Sequence, residues 1–212
     1  MLDYSKLYRL GNKLGYNPQL VHTSQIRQGF TRKQMVGFAN KWEMSEPAKW
    51  SFFDTEILGA TVIPDEPLRF IYKRQAKLLQ YTKCEVCFHF FHESVVELLT
   101  HLGATGISYY PTIIEHKKEK RTITDYWGLQ ISGRYGKMDA LRSERVPHTL
   151  PNGNIVKRNK GIYFENDNWD GLDFSVGEHH SFIVVSERMR TILLKNKVTG
   201  VVVEPLTNFL WS

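Results

Sequence analysis

Cysteine is nearly absent: Cys84 and Cys87 are the two in a chain of 212 residues. Three positions apart, they could close only a small, strained loop, so a disulfide framework is excluded and a reducing compartment is expected. Long apolar runs are missing too. None approaches the roughly 20 residues of a membrane helix, and the opening MLDYSKLYRLGNKLGY lacks the apolar core of a secretory signal. A soluble cytoplasmic protein without a membrane partner is the expectation. The chain also has no Gly-rich phosphate loop, no H-E-x-x-H and no kinase signature, so three common catalytic and cofactor frameworks are missing, and no cofactor is expected.

What is present suits a folded domain. Apolar residues make up 42% and aromatics 13% of the chain, enough for a sizeable core. The net charge of +6 is unevenly spread. Residues 1–80 hold 12 Lys/Arg against 7 Asp/Glu, whereas residues 81–212 hold 16 against 15. A mildly basic N-terminal third suits an acidic protein, a phosphate-bearing ligand or nucleic acid, and equally an ordinary solvated surface.

The segment FIVVSERMRTILLKNKVTGVVVEPL (182–206) invites a choice between a nucleophilic Ser186 and a helix cap. A nucleophile elbow needs glycines two residues either side, and Val184 and Arg188 occupy those places, so the cap is expected. Phe182–Val185 then reads as a strand, Met189, Ile192 and Leu193 as the apolar stripe of a helix, Gly200 as its left-handed stop, and Val201–Val203 as a second strand. FHFFHESVVELLTHLGATGISYYP (88–111) matches it without gaps at an offset of 94, with Val95, Leu98, Leu99 and Leu102 as the stripe. Each copy is expected to be strand, helix, strand, with a helix of ten to twelve residues between parallel strands.

Between the copies, DYWGLQIS (125–132) and GIYFEND (161–167) read as strands, EHKKEKR (115–121) as a solvated turn, and RSERVPHTLPNGNIVKRNKG (142–161) as a long exposed connection. Residues 24–42 read as one or two short helices. The fold class that follows is α+β: a mixed sheet built on two quasi-repeated strand–helix–strand units, with an N-terminal helical and loop elaboration. Residues 1–80 form the elaboration and 81–212 the duplicated core, the whole making one compact domain.

Four soft or borderline metal ligands crowd into nine residues: Cys84, Cys87, His89 and His92. Zinc sites usually draw ligand pairs from separated segments, and neighbours on a strand point to opposite faces, so a polar strand is the competing reading and no metal is expected. Glu178, His179 and His180 offer acid–base chemistry, against a plain turn into a strand. Asp170 and Asp173 form a possible carboxylate pair, although Asp-Gly is first a turn signal. Aromatic and basic residues alternate at Arg27, Phe30, Arg32, Lys33, Phe38, Lys41, Trp42, Lys49 and Trp50, a mix that also suits single-stranded nucleic acid.

In combination, these segments resemble a family of bacterial immunity proteins from polymorphic toxin systems, the immunity-protein-eleven type, formerly a domain of unknown function. The likeness runs over about residues 84–206. It rests on Val185-Ser186-Glu187-Arg188-Met189, the striped helix, Val198-Thr199-Gly200-Val201 and Glu204-Pro205, on NWDGLDFSV, on YWGLQISGRYGKMDALRSE with Asp139 and Ser143, and on the upstream copy. A related group carries paired Cys-x-x-Cys-Gly motifs; here there is one pair, and Phe88 replaces the glycine. The resemblance implies a non-enzymatic cytoplasmic protein that binds and occludes a cognate protein toxin, a secreted effector of the kind that type VI systems deliver. If the core is the shared scaffold, partner choice is expected in the least family-like parts. Those are Arg27, Arg32, Lys33, Trp42 and Trp50, then the loop with Arg142, Arg145, Lys157 and Arg158. The alternative is a small nucleic-acid-binding module using the basic N-terminal third.

Overall fold

The computed structural model describes residues 1–12, 20–22, 67–72, 78–84, 88–150, 152–177 and 182–211. The expectations for residues 24–42 and for the N-terminal set Arg27, Arg32, Lys33, Trp42 and Trp50 lie outside them. The described chain runs β1 (Leu7–Asn12), β2 (Leu20–His22), β3 (Leu68–Tyr72), β4 (Tyr81–Cys84) and β5 (Phe88–His92), then helix α1 (Glu93–His101). After it come β6 (Ile107–His116), β7 (Arg121–Ile123), β8 (Tyr126–Ile131), β9 (Gly133–Tyr135), β10 (Glu144–Thr149), β11 (Ile155–Lys160), β12 (Phe174–Gly177) and β13 (Ile183–Ser186). Helix α2 (Glu187–Lys195), β14 (Val201–Pro205) and β15 (Leu210–Trp211) complete it. The class is α+β with mixed sheets, strands predominating.

A seven-stranded sheet has the order β2-β3-β6-β8-β5-β4 with β7 beside β6; a five-stranded sheet has β14-β1-β13-β12-β9; a three-stranded one has β10-β11-β15. In each larger sheet, a strand–helix–strand segment has the same surroundings. β5 and β6 are both antiparallel to β8, which lies between them; β13 and β14 are both antiparallel to β1. The flanking strands of each segment therefore run parallel but do not touch. The registers also coincide: Trp127 of β8 sits between Phe91 and Pro111 as Tyr8 of β1 sits between Val185 and Pro205. Residues 1–80 are thus more than a peripheral elaboration, because β1 supplies a central strand to the sheet of the C-terminal half.

Each helix has nine residues, shorter than the stripe suggested. The last apolar position of the first stripe, Leu102, lies past the helix end and is exposed. Val95 and Leu99 of α1 and Met189 and Leu193 of α2 are buried with Tyr81, Phe91, Leu129, Ile131, Leu10, Phe174, Ile183 and Val185 in one central core. Each such side chain contributes about 1.5–3 kcal/mol of apolar burial. A second cluster (Phe70, Phe90, Tyr110, Ile114) lies behind the seven-stranded sheet, and a third (Tyr4, Leu7, Tyr135, Phe164, Val184) behind the five-stranded one. Both sheets are therefore packed on two faces, which accounts for near-continuous apolar strands such as Ile183–Val185.

Two expectations are corrected. GIYFEND is not a strand: Phe164 forms one isolated bridge to Met138, and Glu165–Asp167 is a 3-10 turn with Asn166 and Asp167 at φ of 57° and 53°. The Phe164 N–H donates to the Tyr4 hydroxyl (2.8 Å), which stands where a strand neighbour would be. RSERVPHTLPNGNIVKRNKG is not an irregular connection but the β10–β11 hairpin, paired over six residues from Glu144↔Lys160 to Thr149↔Ile155. Its strands carry mostly polar residues because neither faces the core, so an apolar pattern cannot reveal them.

Candidate functional site

Ser186 closes the first question. Its hydroxyl accepts the Met189 N–H (3.3 Å) and donates to Asp173 Oδ1 (2.8 Å), so it caps α2 and is held by a buried carboxylate. Asp173 also accepts from the Thr105 N–H (3.1 Å), the Thr105 hydroxyl (3.2 Å) and Arg188 Nη1 (2.5 Å). Arg188 donates in addition to the Leu102 carbonyl, tying the end of α1 to the start of α2. Of the possible carboxylate pair, Asp173 is therefore a structural hub. Asp170 accepts the Leu172 N–H (3.1 Å) and the Ser175 hydroxyl (3.1 Å), an Asx-type turn.

The same pattern recurs around Gln80 in the other sheet. Thr199 donates its N–H to Gln80 Oε1 (2.9 Å), as Thr105 does to Asp173. The Gln80 N–H donates to the Thr199 hydroxyl (3.1 Å), and the Asp173 N–H to that of Thr105 (3.0 Å). The Tyr81 and Phe174 N–H groups donate to the Thr199 and Thr105 carbonyls. The glycine after each threonine has positive φ, 75° at Gly106 and 90° at Gly200, and a Cβ on either would lie 2.2 Å from the carbonyl oxygen of Phe174 or Tyr81. Each Thr-Gly pair is thus seated on the first residues of a strand in the opposite sheet.

The Cys/His group is divided. Cys87 lies outside the described residues, and Cys84 ends β4. His89 and His92, three apart on β5, point to opposite faces. His89 is buried in the central core, its Nδ1 2.6 Å from the Tyr81 hydroxyl and its Nε2 without a partner among the described residues. Burial holds its pKa well below the usual imidazole value, with Lys83 adding to the depression. His92 caps α1, accepting the Ser94 N–H at Nδ1 (3.2 Å), with Nε2 3.2 Å from Asp125. Among the described residues, no group of three or more His, Cys, Asp or Glu is arranged to hold a metal ion. Glu178, His179 and His180 lie outside the described residues.

The four basic positions of the 142–158 segment separate into two kinds. Arg142 is engaged: Nη1 donates to Asp167 Oδ1 (2.6 Å), and the guanidinium lies over the Tyr4 and Tyr163 rings at 5.1 and 4.9 Å. That bond raises the Arg142 pKa and lowers that of Asp167, which also accepts from the Tyr4 hydroxyl. Burial is the main cause that pushes the Tyr4 phenol up to about 12. By contrast, among the described residues no ion pair or side-chain hydrogen bond engages Arg145, Lys157, Arg158 or Lys160. The register puts Arg145, Pro147, Thr149, Ile155 and Lys157 on one face, all exposed, and Val146, His148, Val156 and Arg158 on the other, all half-buried. Ile155 is 72% exposed, and Leu141, in the 3-10 turn that Asp139 caps just before the hairpin, is 97% exposed. Sequence reasoning named the cations but missed Pro147, Ile155 and Leu141; the one local cue was the Asn152-Gly153 turn dipeptide, without an apolar alternation on either side of it.

No protein-family model matches this chain, and a search of curated proteins also gave no match.

Proposed function

We propose that this chain is an immunity protein that binds a cognate bacterial toxin in the cytoplasm and neutralises it by occlusion. The observation that carries this reading is the internal use of the signature residues. Ser186 caps α2, Arg188 joins Asp173 to the Leu102 carbonyl, and Thr199-Gly200 is seated on Gln80 and Tyr81. A signature made of fold-holding groups suits a common scaffold whose partner choice is written elsewhere on its surface. The matched bonds around Asp173 and Gln80 also support reading the two strand–helix–strand units as copies of one ancestral unit. Occlusion requires burying about 800 Å² per partner over the toxin's working cleft.

The test is co-expression with the toxin encoded beside this chain's gene. Survival restored by this chain, with a complex on size exclusion, is the expected result; unaltered killing and no complex would sink the reading. The nucleic-acid alternative rests on the basic N-terminal third, whose Arg27, Arg32, Lys33, Lys41 and Lys49 lie outside the described residues. It requires oligonucleotide binding that falls steeply with salt.

A further inference from the structure

We propose that the outward face of the β10–β11 ribbon, centred on Arg145, Pro147, Ile155 and Lys157, is the surface that enters an acidic cleft of the partner protein. This rests on the toxin-binding reading above and assigns it a place.

The shape comes first. β15 pairs with Asn159 and Lys160 alone, so from Val146 to Arg158 the hairpin has no third strand among the described residues. Six residues per strand at about 3.3 Å each give a ribbon about 20 Å long, narrow enough for a cleft and too small to form a flat interface by itself. Its edge is the wrong part to bind. The Leu150 N–H donates to the Asn154 carbonyl (2.8 Å), which makes 148–156 and 146–158 hydrogen-bonded pairs and leaves Pro147↔Lys157 a non-hydrogen-bonded one. The missing N–H of Pro147 therefore falls on the outer edge of β10, where it interrupts the donors that an added strand would need.

The chemistry comes second. Arg145 and Lys157 flank the exposed Ile155 and Pro147 on this face. With Arg158 and Lys160 behind them, the ribbon carries four unpaired cations against one acid, Glu144. Lys157 lies next to Ile155 along β11 and opposite Pro147, and Arg145 lies next to Pro147 along β10. An exposed apolar pair with a free cation on each strand complements a cleft with an apolar floor and Asp or Glu walls. Neither β10 nor β11 carries an aromatic residue on this face, and Trp211 of β15, in the row of Arg145 and Asn159, is half-buried with its Nε1–H on the Gly161 carbonyl (2.9 Å). The ribbon therefore offers no run of platforms for stacking bases, and an acidic protein is favoured over nucleic acid. Arg142 is excluded from the contact set by its bond to Asp167.

The experiment uses the full chain and a catalytically inert form of the adjacent gene's toxin, with three proteins compared: wild type, R145E/K157E, and K118E/K195E as a charge-matched control on exposed positions elsewhere. Thermal melts within a few degrees of one another establish that all three are folded. The expected result is a loss of affinity of about 100-fold or more and an on-rate lower by about tenfold for R145E/K157E, with the control within about threefold of wild type. A photo-crosslinker at position 155 captures the toxin, and one at position 191 does not. If wild type protects and binds but R145E/K157E does so equally, this surface is wrong and the immunity reading stands. Failure of wild type to bind or protect overturns both. Oligonucleotide binding that R145E/K157E abolishes, in place of toxin binding, overturns the choice of a protein partner.

Discussion

His89 keeps a neutral imidazole inside the core, and its position makes stability sensitive to acid. Its folded pKa is depressed by burial. Above about pH 6.5 the ring is neutral in folded and unfolded chains alike, and nothing is lost. As pH falls below that value the unfolded chain takes up a proton that the folded one refuses, so stability declines, by up to about 1.4 kcal/mol per pH unit from this group. Urea denaturation at pH 7.5, 6.0 and 5.0 measures the slope. The Y81F/H89I variant, which copies the apolar Phe174 and Ile183 of the other sheet, is expected to flatten it. Gly106 and Gly200 give a second prediction at this scale. Alanine at either position combines positive φ with a backbone clash and is expected to cost about 2–4 kcal/mol, similarly at both, as read from denaturant midpoints. A clear inequality would show that the two seats are not equivalent in strength.

At the scale of the element, the caps differ in what stands behind them. Ser186→Ala removes an N-cap and a partner of buried Asp173, for an expected loss of about 1–2 kcal/mol in thermal or chemical melts. Asp173→Ala strands Ser186, Arg188 and two groups of Thr105 together and is expected to cost more, about 3 kcal/mol. The helices, the Ser186 cap and the strands beside them were legible in the sequence because cap and stripe fall at fixed spacings. The stop was not: α2 ends at Lys195, with Lys197 (φ 51°) as its left-handed residue in place of Gly200, and His92, read as a ligand candidate, is the cap of α1. The partners of the caps were not legible either, since Thr105 meets Asp173 across 68 residues and no local period reports such a contact. The hairpin was illegible for a different reason. Its strands face water on one side and only half-buried surroundings on the other, so alternation never becomes a hydrophobic signal. The basic residues were visible as types; which of them are free depended on Asp167, a turn residue at φ 53° whose place only the folded chain supplies.

At the scale of the molecule, the two larger sheets share one central core, so they are expected to unfold together. Amide exchange at Leu10, Leu129 and Val184 should report the same opening free energy, whereas protection should fall off along the β10–β11 ribbon, which among the described residues contributes nothing to the three core clusters. Leu10→Ala, in the buried centre of β1, is expected to cost about 2–5 kcal/mol and to lower protection in both sheets. Loss confined to the five-stranded sheet would show two independent units instead. The ribbon itself should tolerate substitution, because Arg145, Lys157 and Ile155 are exposed and engage nothing that holds the fold.

The pairing of β1 also sets an order of events in time. Leu10 lies opposite Ile183 on one side and Val203 on the other, so this strand leaves the ribosome more than 170 residues before either neighbour exists. The seven-stranded sheet has the strands of its own helical unit within residues 81–131 and can assemble while synthesis continues. The five-stranded one cannot. Its earliest strand must wait unpaired, and Leu7, Tyr8 and Leu10 stay open to capture by a chaperone or by another nascent chain until the last strands arrive.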